Sequence, residues 1–254
     1  DLDTVAAAAG TSEPLTYGVF SKDPARFQDR LIAVAYGGEN SKPIGFVAMP
    51  LLEVDIDGRS VRVVHLGLGM VDRRHQCAGI VSVLYELCWA FLLIRNRGRS
   101  LWFSNVSQIP RVIGAAYEHC DRVYPSPDTG TRPSRVHRRI ADVIMRHHRA
   151  AFGVAEEAEF DAERFVITNA YTGGSDGLKK AYSSAIEHAD PRYNDLCRTH
   201  LDYARGDDFL QIGVCSIFTL VRSLARRVLR GLSGRVLPRV ESIGSNPQPG
   251  RLRS

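Results

Sequence analysis

Residues 64–80 read VHLGLGMVDRRHQCAGI, and the reading of that stretch decides the fold. The alternation from Val64 to Val71 is that of a strand. A polar turn follows, holding Arg73, Arg74, His75 and Gln76, and it runs through Gly79 into GIVSVLYELCWAFLLI, residues 79–94. That second run is apolar nearly all round, as a helix packed on a sheet is. It contains Glu86 and is shorter than the ~20 residues a membrane span needs. A helix entered this way leaves its first N–H groups without partners, and its dipole adds partial positive charge. The turn is therefore a ready place for a phosphate or pyrophosphate. Gly79 allows close backbone approach, and Arg73 and Arg74 add full charges. A strand–helix turn with solvated arginines is the plainer reading of the same residues.

Upstream of this stretch, residues 1–14 read as a loose end. Leu15–Phe20 reads as a strand, and Asp23–Arg30 as a short helix with Asp23 as cap and Pro24 in its first turn. Leu31–Tyr36, Pro43–Asp55 and Ser60–Val71 read as three strands joined by the turns at Gly37–Ser41 and Asp57-Gly58. Downstream, Leu101–Val106 reads as a strand, and Pro110–Cys120 has a helical apolar face. The sheet is then mixed and mostly antiparallel, an α/β (α+β) arrangement with helices on both faces. Beyond a loop at 124–133, the chain offers a basic helix at 135–152, a strand at 164–169, a helix at 176–187 and a strand at 208–213. The helical pieces read as insertions. Ile217–Leu232 has an apolar stripe (Ile217, Leu220, Val221, Leu224, Val228, Leu232) opposite Arg222, Arg226 and Arg230. The units are thus a loose N-terminal end (1–14), one main domain (15–213), a basic amphipathic C-terminal helix (214–240) and a disordered tail (241–254).

Of 254 residues, 44% are apolar and 24% charged, the balance of a globular protein and not of a collagen, a disulfide scaffold or a disordered chain. The net charge of +5 is unevenly placed. From Val214 onward eight arginines face Glu241 alone, a net of +7, so residues 1–213 sum to −2. A uniformly basic nucleic-acid surface is not indicated. The basic helix suits an anionic membrane surface, an acidic partner or simple packing on its own domain. The five cysteines form no C-x-x-C pair and no zinc spacing, so no metal is expected. Reduced, buried thiols in a cytoplasmic or membrane-peripheral protein are the plain reading.

The succession strand, helix, three strands, turn, helix, strand, helix resembles the GNAT superfamily of N-acetyltransferases. There a Q/R-x-x-G-x-G/A pattern follows the fourth strand, and its amides grip the pyrophosphate of acetyl-CoA. Gln76, Cys77, Ala78, Gly79, Ile80 and Val81 stand in that pattern, with Val81 where the family has a small residue. The family also has a strand ending near an Asn, then a helix bearing a Tyr that protonates the leaving thiolate. Asn105 and Tyr117 stand in those places, with Asp121-Arg122 where the family has glycine. The resemblance covers residues 15–125, about half the chain.

The resemblance implies an acyl-CoA-dependent N-acyltransferase that moves an acetyl or longer acyl group directly onto a small-molecule amine. The co-substrate would lie against Leu68, Gly69, Met70, Val71, Arg73, Arg74, the Gln76–Val81 turn and Asn105. Tyr117 would be the acid. Acyl transfer also needs a base for the ammonium proton. His65, with an ordinary pKa of ~6.5, and Glu53 at a strand end are the two candidates, each with a structural alternative. The resemblance also implies a split between the fourth and fifth strands as the groove. Small Gly67, Gly69 and Ser104 there leave room for a chain longer than acetyl, or the glycines merely permit the local strand splay, so acyl length stays open. Tyr193, Asn194, Asp207 and Asp208 are within reach of an acceptor side, or merely form a turn and a strand start. The competing reading is a GNAT-fold CoA-binding or membrane-peripheral module without catalysis. Homodimerisation stays open.

Overall fold

The computed structural model describes residues 2–11, 14–21, 28–37, 41–76 and 78–233. Helix α1 (Leu2–Ala9) opens the described chain. Strands β1 (Arg30–Gly37), β2 (Lys42–Ile56), β3 (Arg59–His65) and β4 (Gly69–Val71) follow. Then come α2 (Ile80–Arg95), β5 (Leu101–Ser107), α3 (Pro110–His119) and β6 (Asp121–Tyr124). The second half holds α4 (Arg135–Val143), the short strands β7 (Phe160–Asp161) and β8 (Val166–Ile167), α5 (Pro191–His200), β9 (Asp208–Cys215) and α6 (Ile217–Ser233).

The strands join in one mixed sheet of order β1-β2-β3-β5-β9-β8-β7, with β4 paired to β2 and β6 to β9. Every pairing is antiparallel except β3 with β5. Side chains alternate across the sheet. Val64 packs with Val47, Met49 and Phe103 against Leu84, Cys88 and Leu92 of α2. Its neighbour Val63 packs with Leu52, Val54 and Ile212 against Ile140 and Ile144 on the other face. Both faces are therefore covered by helices. Each such buried Leu, Ile or Val contributes about 1.5–3 kcal/mol over leaving it exposed.

Several expectations are corrected. The opening residues are not loose: Leu2–Ala9 is helical, and Val5 is fully buried with Phe46, Ala48 and Met70. Leu15–Phe20 is not a strand; its tail, Gly18–Phe20, is a 3-10 turn. Most of the proposed helix at 23–30 lies outside the described residues, and Arg30 already opens β1. The run 60–71 is two strands broken at 66–68. At 176–187 the expected helix is replaced by two 3-10 turns, and the helix of that region comes later, at α5. The strand at 164–169 shrinks to two residues. The boundary at 213/214 is absent: β9 runs to Cys215, and α6 packs on its own domain through Arg222–Asp121 (3.1 Å) and Arg227–Glu86 (2.7 Å). The proposed disordered tail, 241–254, lies outside the described residues. No helix among the described residues is long and apolar enough to cross a membrane.

Candidate active site

The break at 66–68 opens the sheet. β3 and β5 are in register at Val63–Trp102, Val64–Phe103 and His65–Ser104. Leu66 N–H still donates to Ser104 O, at 2.7 Å. Two residues on, Leu68 has crossed to the other neighbour, its carbonyl accepting from Ala48 N–H at 2.8 Å. Among the described residues, β4 from Gly69 onward pairs only with β2, while Asn105–Ser107 pair only with β9. The two parallel strands thus part like a V. Gly67 marks the bend: a Cβ there would collide with Ala48 O and stand 2.9 Å from Pro50 Cδ. Glycine meets that approach without displacing β2.

A cavity of about 580 Å³ fills the parting and passes through the sheet. On the α2 side it is walled by Val81, Ser82, Tyr85, Trp89 and, from α3 and α6, Ala115 and Leu220. At the parting it touches Gly67, Leu68, Gly69, Met70 and Asn105. On the far side it meets Tyr17, His65, Phe152, Tyr171 and Asp208. The walls are largely apolar with a few convergent polar groups, the usual make-up of a ligand site.

Of the expected co-substrate residues, Leu68, Gly69, Met70, Val81 and Asn105 line this cavity. Val71, Arg73, Arg74, Gln76, Ala78, Gly79 and Ile80 stand outside its wall, at the entrance to α2 beside Val81 and Ser82. Cys77 lies outside the described residues. Gly79 precedes α2 with φ 73°, and a Cβ there would meet nothing within 4 Å. The first N–H groups of α2 have no acceptor within the helix, and the N-cap residue, Gly79, has no side chain to cap them. His75 Nδ1, in the same turn, is enclosed without a hydrogen-bond partner. The two arginines are engaged. Arg73 donates to Ala9 O and Gly10 O at the end of α1, at 3.4 and 3.3 Å. Arg74 grips Asp72, whose carboxyl is held down to about 2 by the hydrogen bonds from Arg74.

The expected catalytic residues separate. Glu53 does not touch the cavity; its carboxylate accepts from Ser60 Oγ at 2.6 Å and Arg62 Nε at 3.0 Å on an exposed edge. His65 does touch it, buried, stacked on Phe152 at 4.5 Å and bonded through Nδ1 to Ser104 Oγ at 2.9 Å. Burial, and then the nearby Arg30 charge, push its pKa down to about 3. Tyr117 does not line the cavity. Its hydroxyl donates to the carbonyls of Val123, at 2.9 Å, and Pro125, and its ring packs on Tyr193. Asn105 Nδ2 donates to Gln211 Oε1 at 3.0 Å.

Of the four acceptor-side candidates only Asp208 reaches the cavity. Tyr193 packs on Ile113 of α3, Asn194 holds the backbone of His188, and Asp207 pairs with Arg205 at 2.7 Å. Asp208 is buried; Tyr171 donates to its Oδ1 at 2.9 Å. Burial dominates, with the Asp207 charge adding to it, and pushes the Asp208 carboxyl up to about 8 despite the bond from Tyr171. Sequence reasoning missed Tyr171, which sits in a glycine-flanked turn. Among the described residues no group of three or more His, Cys, Asp or Glu is placed to hold a metal ion.

No protein-family model matches this chain, and no curated protein matches it. Among solved structures, two mutants of the BH1408 protein from Bacillus halodurans are similar over a part. One is 16% identical over 28% of this chain and 50% of that one (TM-score 0.24). The other is 15% identical over 30% and 53% (TM-score 0.25). A chain of the KacTA–DNA complex is 13% identical over 35% of this chain and 56% of that one (TM-score 0.28). The matches span about half the length of those chains and assign no family.

Proposed function

We propose that this chain is an acyltransferase that passes an acyl group from coenzyme A to an amine, with Asp208 as the proton acceptor. The observation that carries the reading is a cavity through the parted sheet with a buried carboxyl, Asp208, at its far end. Buried titratable groups displaced toward neutrality mark functional sites. The residues present suit the donor. The uncapped start of α2 behind Gly79 offers amides to a diphosphate, and the apolar walls suit a pantetheine arm. When bound, the donor supplies a thioester carbonyl and a thiolate leaving group.

The chain's own residues would do the rest. The parting holds the thioester beside the incoming nitrogen, so that attack becomes effectively intramolecular. Asp208, ionised, takes the proton released as the nitrogen–carbon bond forms and the carbon–sulfur bond breaks. Tyr171 fixes the carboxylate's orientation. The leaving thiolate recovers a proton from solvent, so the net transfer is from nitrogen to sulfur. His65 stays neutral and holds Ser104 beside the pairing of β3 with β5.

One observation favours a second reading, a coenzyme A-binding module without turnover: Tyr117 faces backbone carbonyls and not the cavity. Calorimetry with acetyl- and longer acyl-CoA tests both. Binding with release of free thiol on adding amines supports the enzyme. Binding without thiol release supports the module. Absence of any binding removes both.

A further inference from the structure

We propose that the outward face of α2 and α6 is a docking surface for an anionic lipid bilayer. Amphipathic helices of globular domains turn their apolar stripe to the core. α6 does the reverse. The side against the domain is mostly polar: Thr219 is 1% exposed, and Ser223 is buried, donating to Glu86 Oε1 at 2.7 Å, with Leu220 the apolar residue packed beside them. Arg222 and Arg226 also reach back to their own domain, to Asp121 and to Glu118 O. Most of the apolar residues look outward, with Phe218 86% exposed, Val221 57% and Val228 61%. The neighbouring α2 adds a stripe of its own, Leu87, Phe91 and Ile94, the last 78% exposed. Large apolar side chains exposed together on two packed helices mark an interaction site.

Charge selects the occupant. Arg95, Arg97 and Arg99 follow the end of the α2 stripe, all exposed, with Arg95 over the Phe91 ring at 5.9 Å. α6 carries no acidic residue, and residues 214–254 sum to +7. The acid between the two helices, Glu86, is already held by Arg227 at 2.7 Å. An apolar face rimmed by arginines matches an anionic bilayer, whose headgroups meet the rim while its acyl boundary receives the apolar side chains. A second copy of this chain would set the arginine rim against itself, which opposes pairing. The cavity reaches the same helix pair at Ser82, Glu86, Leu220 and Ser223, so docking would lay that end toward the lipid.

The test is flotation of the full chain with vesicles of phosphatidylcholine alone and of phosphatidylcholine mixed with phosphatidylglycerol. The expected result is flotation with the mixed vesicles, weakened by salt, and little with the neutral ones. Replacing Phe218→Ser and Val228→Ser together should lower the bound fraction about tenfold or more, since each removed apolar group weakens insertion. Both positions are exposed, and circular dichroism confirms that the fold persists. Equal flotation on both vesicles, or none, overturns the proposal. So does a concentration-dependent dimer in light scattering that the same double variant abolishes, which would give the face to a second copy. A polar or acidic protein that competes with vesicles only through the arginines, leaving the double variant unaffected, overturns it as well. None of these readouts depends on turnover, so the docking surface and the acyltransferase reading fail separately.

Discussion

The Tyr171 hydroxyl lies between two acceptors, 2.9 Å from Asp208 Oδ1 and 2.7 Å from the side-chain amide of Gln108. With that amide turned so that it pairs with both Lys180 N–H and Lys180 O at 3.1 Å, its oxygen faces Tyr171. The row then has two consistent states. A neutral Asp208 donates to Tyr171, which donates to Gln108. An ionised Asp208 instead accepts a hydrogen bond that Tyr171 donates. The neutral state keeps every proton in a hydrogen bond, and burial opposes the ionised one. This is the physical basis of a carboxyl that titrates near the working range of an enzyme.

If Asp208 takes the ammonium proton, kcat/KM rises with pH through about 8, the value at which the carboxyl ionises. Asp208→Asn should flatten that limb and lower kcat/KM by roughly 10²–10⁴-fold, the usual worth of a positioned base. His65 contributes no inflection between pH 5 and 8, because burial holds it at about 3. The measurement is a pH–rate series on both proteins. An unchanged rising limb in the variant removes Asp208 from the reaction.

The same carboxyl sets a stability gradient of defined sign. Its folded pKa, about 8, stands above the ordinary 3.8, so between those values the folded chain holds a proton that the unfolded chain has released. Stability is therefore fully present below about 3.8 and lost as pH rises toward about 8, with a slope from this group of at most ~1.4 kcal/mol per pH unit. Asp208→Asn keeps an acceptor for Tyr171 and never ionises. Urea melts should show the variant gaining on the native chain from acid to pH 8, with no further gain above it. A gap that is constant with pH would contradict the raised value.

Tyr117→Phe should leave turnover nearly unchanged and cost stability. The hydroxyl ties α3 to the carbonyls of Val123 and Pro125. Losing it leaves buried acceptors unpaired, at about 1–3 kcal/mol. A urea melt alongside a thiol-release assay separates the two effects. A hundredfold loss of turnover at full stability would return Tyr117 to the role of acid.

The sequence carried the central elements because their signals are local. Leu31–Tyr36, Pro43–Asp55, Leu101–Val106 and the run into α2 each lie within a residue or two of the observed bounds. What it concealed depends on partners distant in the chain. Leu2–Ala9 is short and alanine-rich, and becomes a helix by burying Val5 on Phe46 and Met70. The family resemblance and the glycines imply the parting, but its place at 66–68 is invisible in an alternating pattern, since it arises from Leu66 bonding β5 while Leu68 bonds β2. Asp208 and Tyr171 are 37 residues apart and meet only because β9 and the 171 turn converge on the cavity. The stripe on Ile217–Leu232 was legible, but its direction was not. Period fixes which residues share a face, while the choice of Thr219 and Ser223 to face the domain is set by Glu86 on another helix.

The parting of the strands can be tested at one atom. Gly67→Ala places a methyl group against Ala48 O and Pro50 Cδ, and the β2 backbone and the rigid proline ring resist it. The 66–68 segment must move off β2 toward β5, into the gap. Overpacking of this sort costs about 1–3 kcal/mol, and the cavity loses width where Gly67 and Leu68 line it. Gly58→Ala is the matched control. It has φ 78° and open space at its Cβ, so it loses about 1 kcal/mol from backbone strain alone. It sits at the β2–β3 turn, away from the cavity wall. Urea melts and acyl-CoA calorimetry on the two variants should show comparable losses of stability, with affinity falling only for Gly67→Ala. Equal affinity in both would mean that no ligand arm passes between β4 and β5, and the acyltransferase reading would lose its geometric basis.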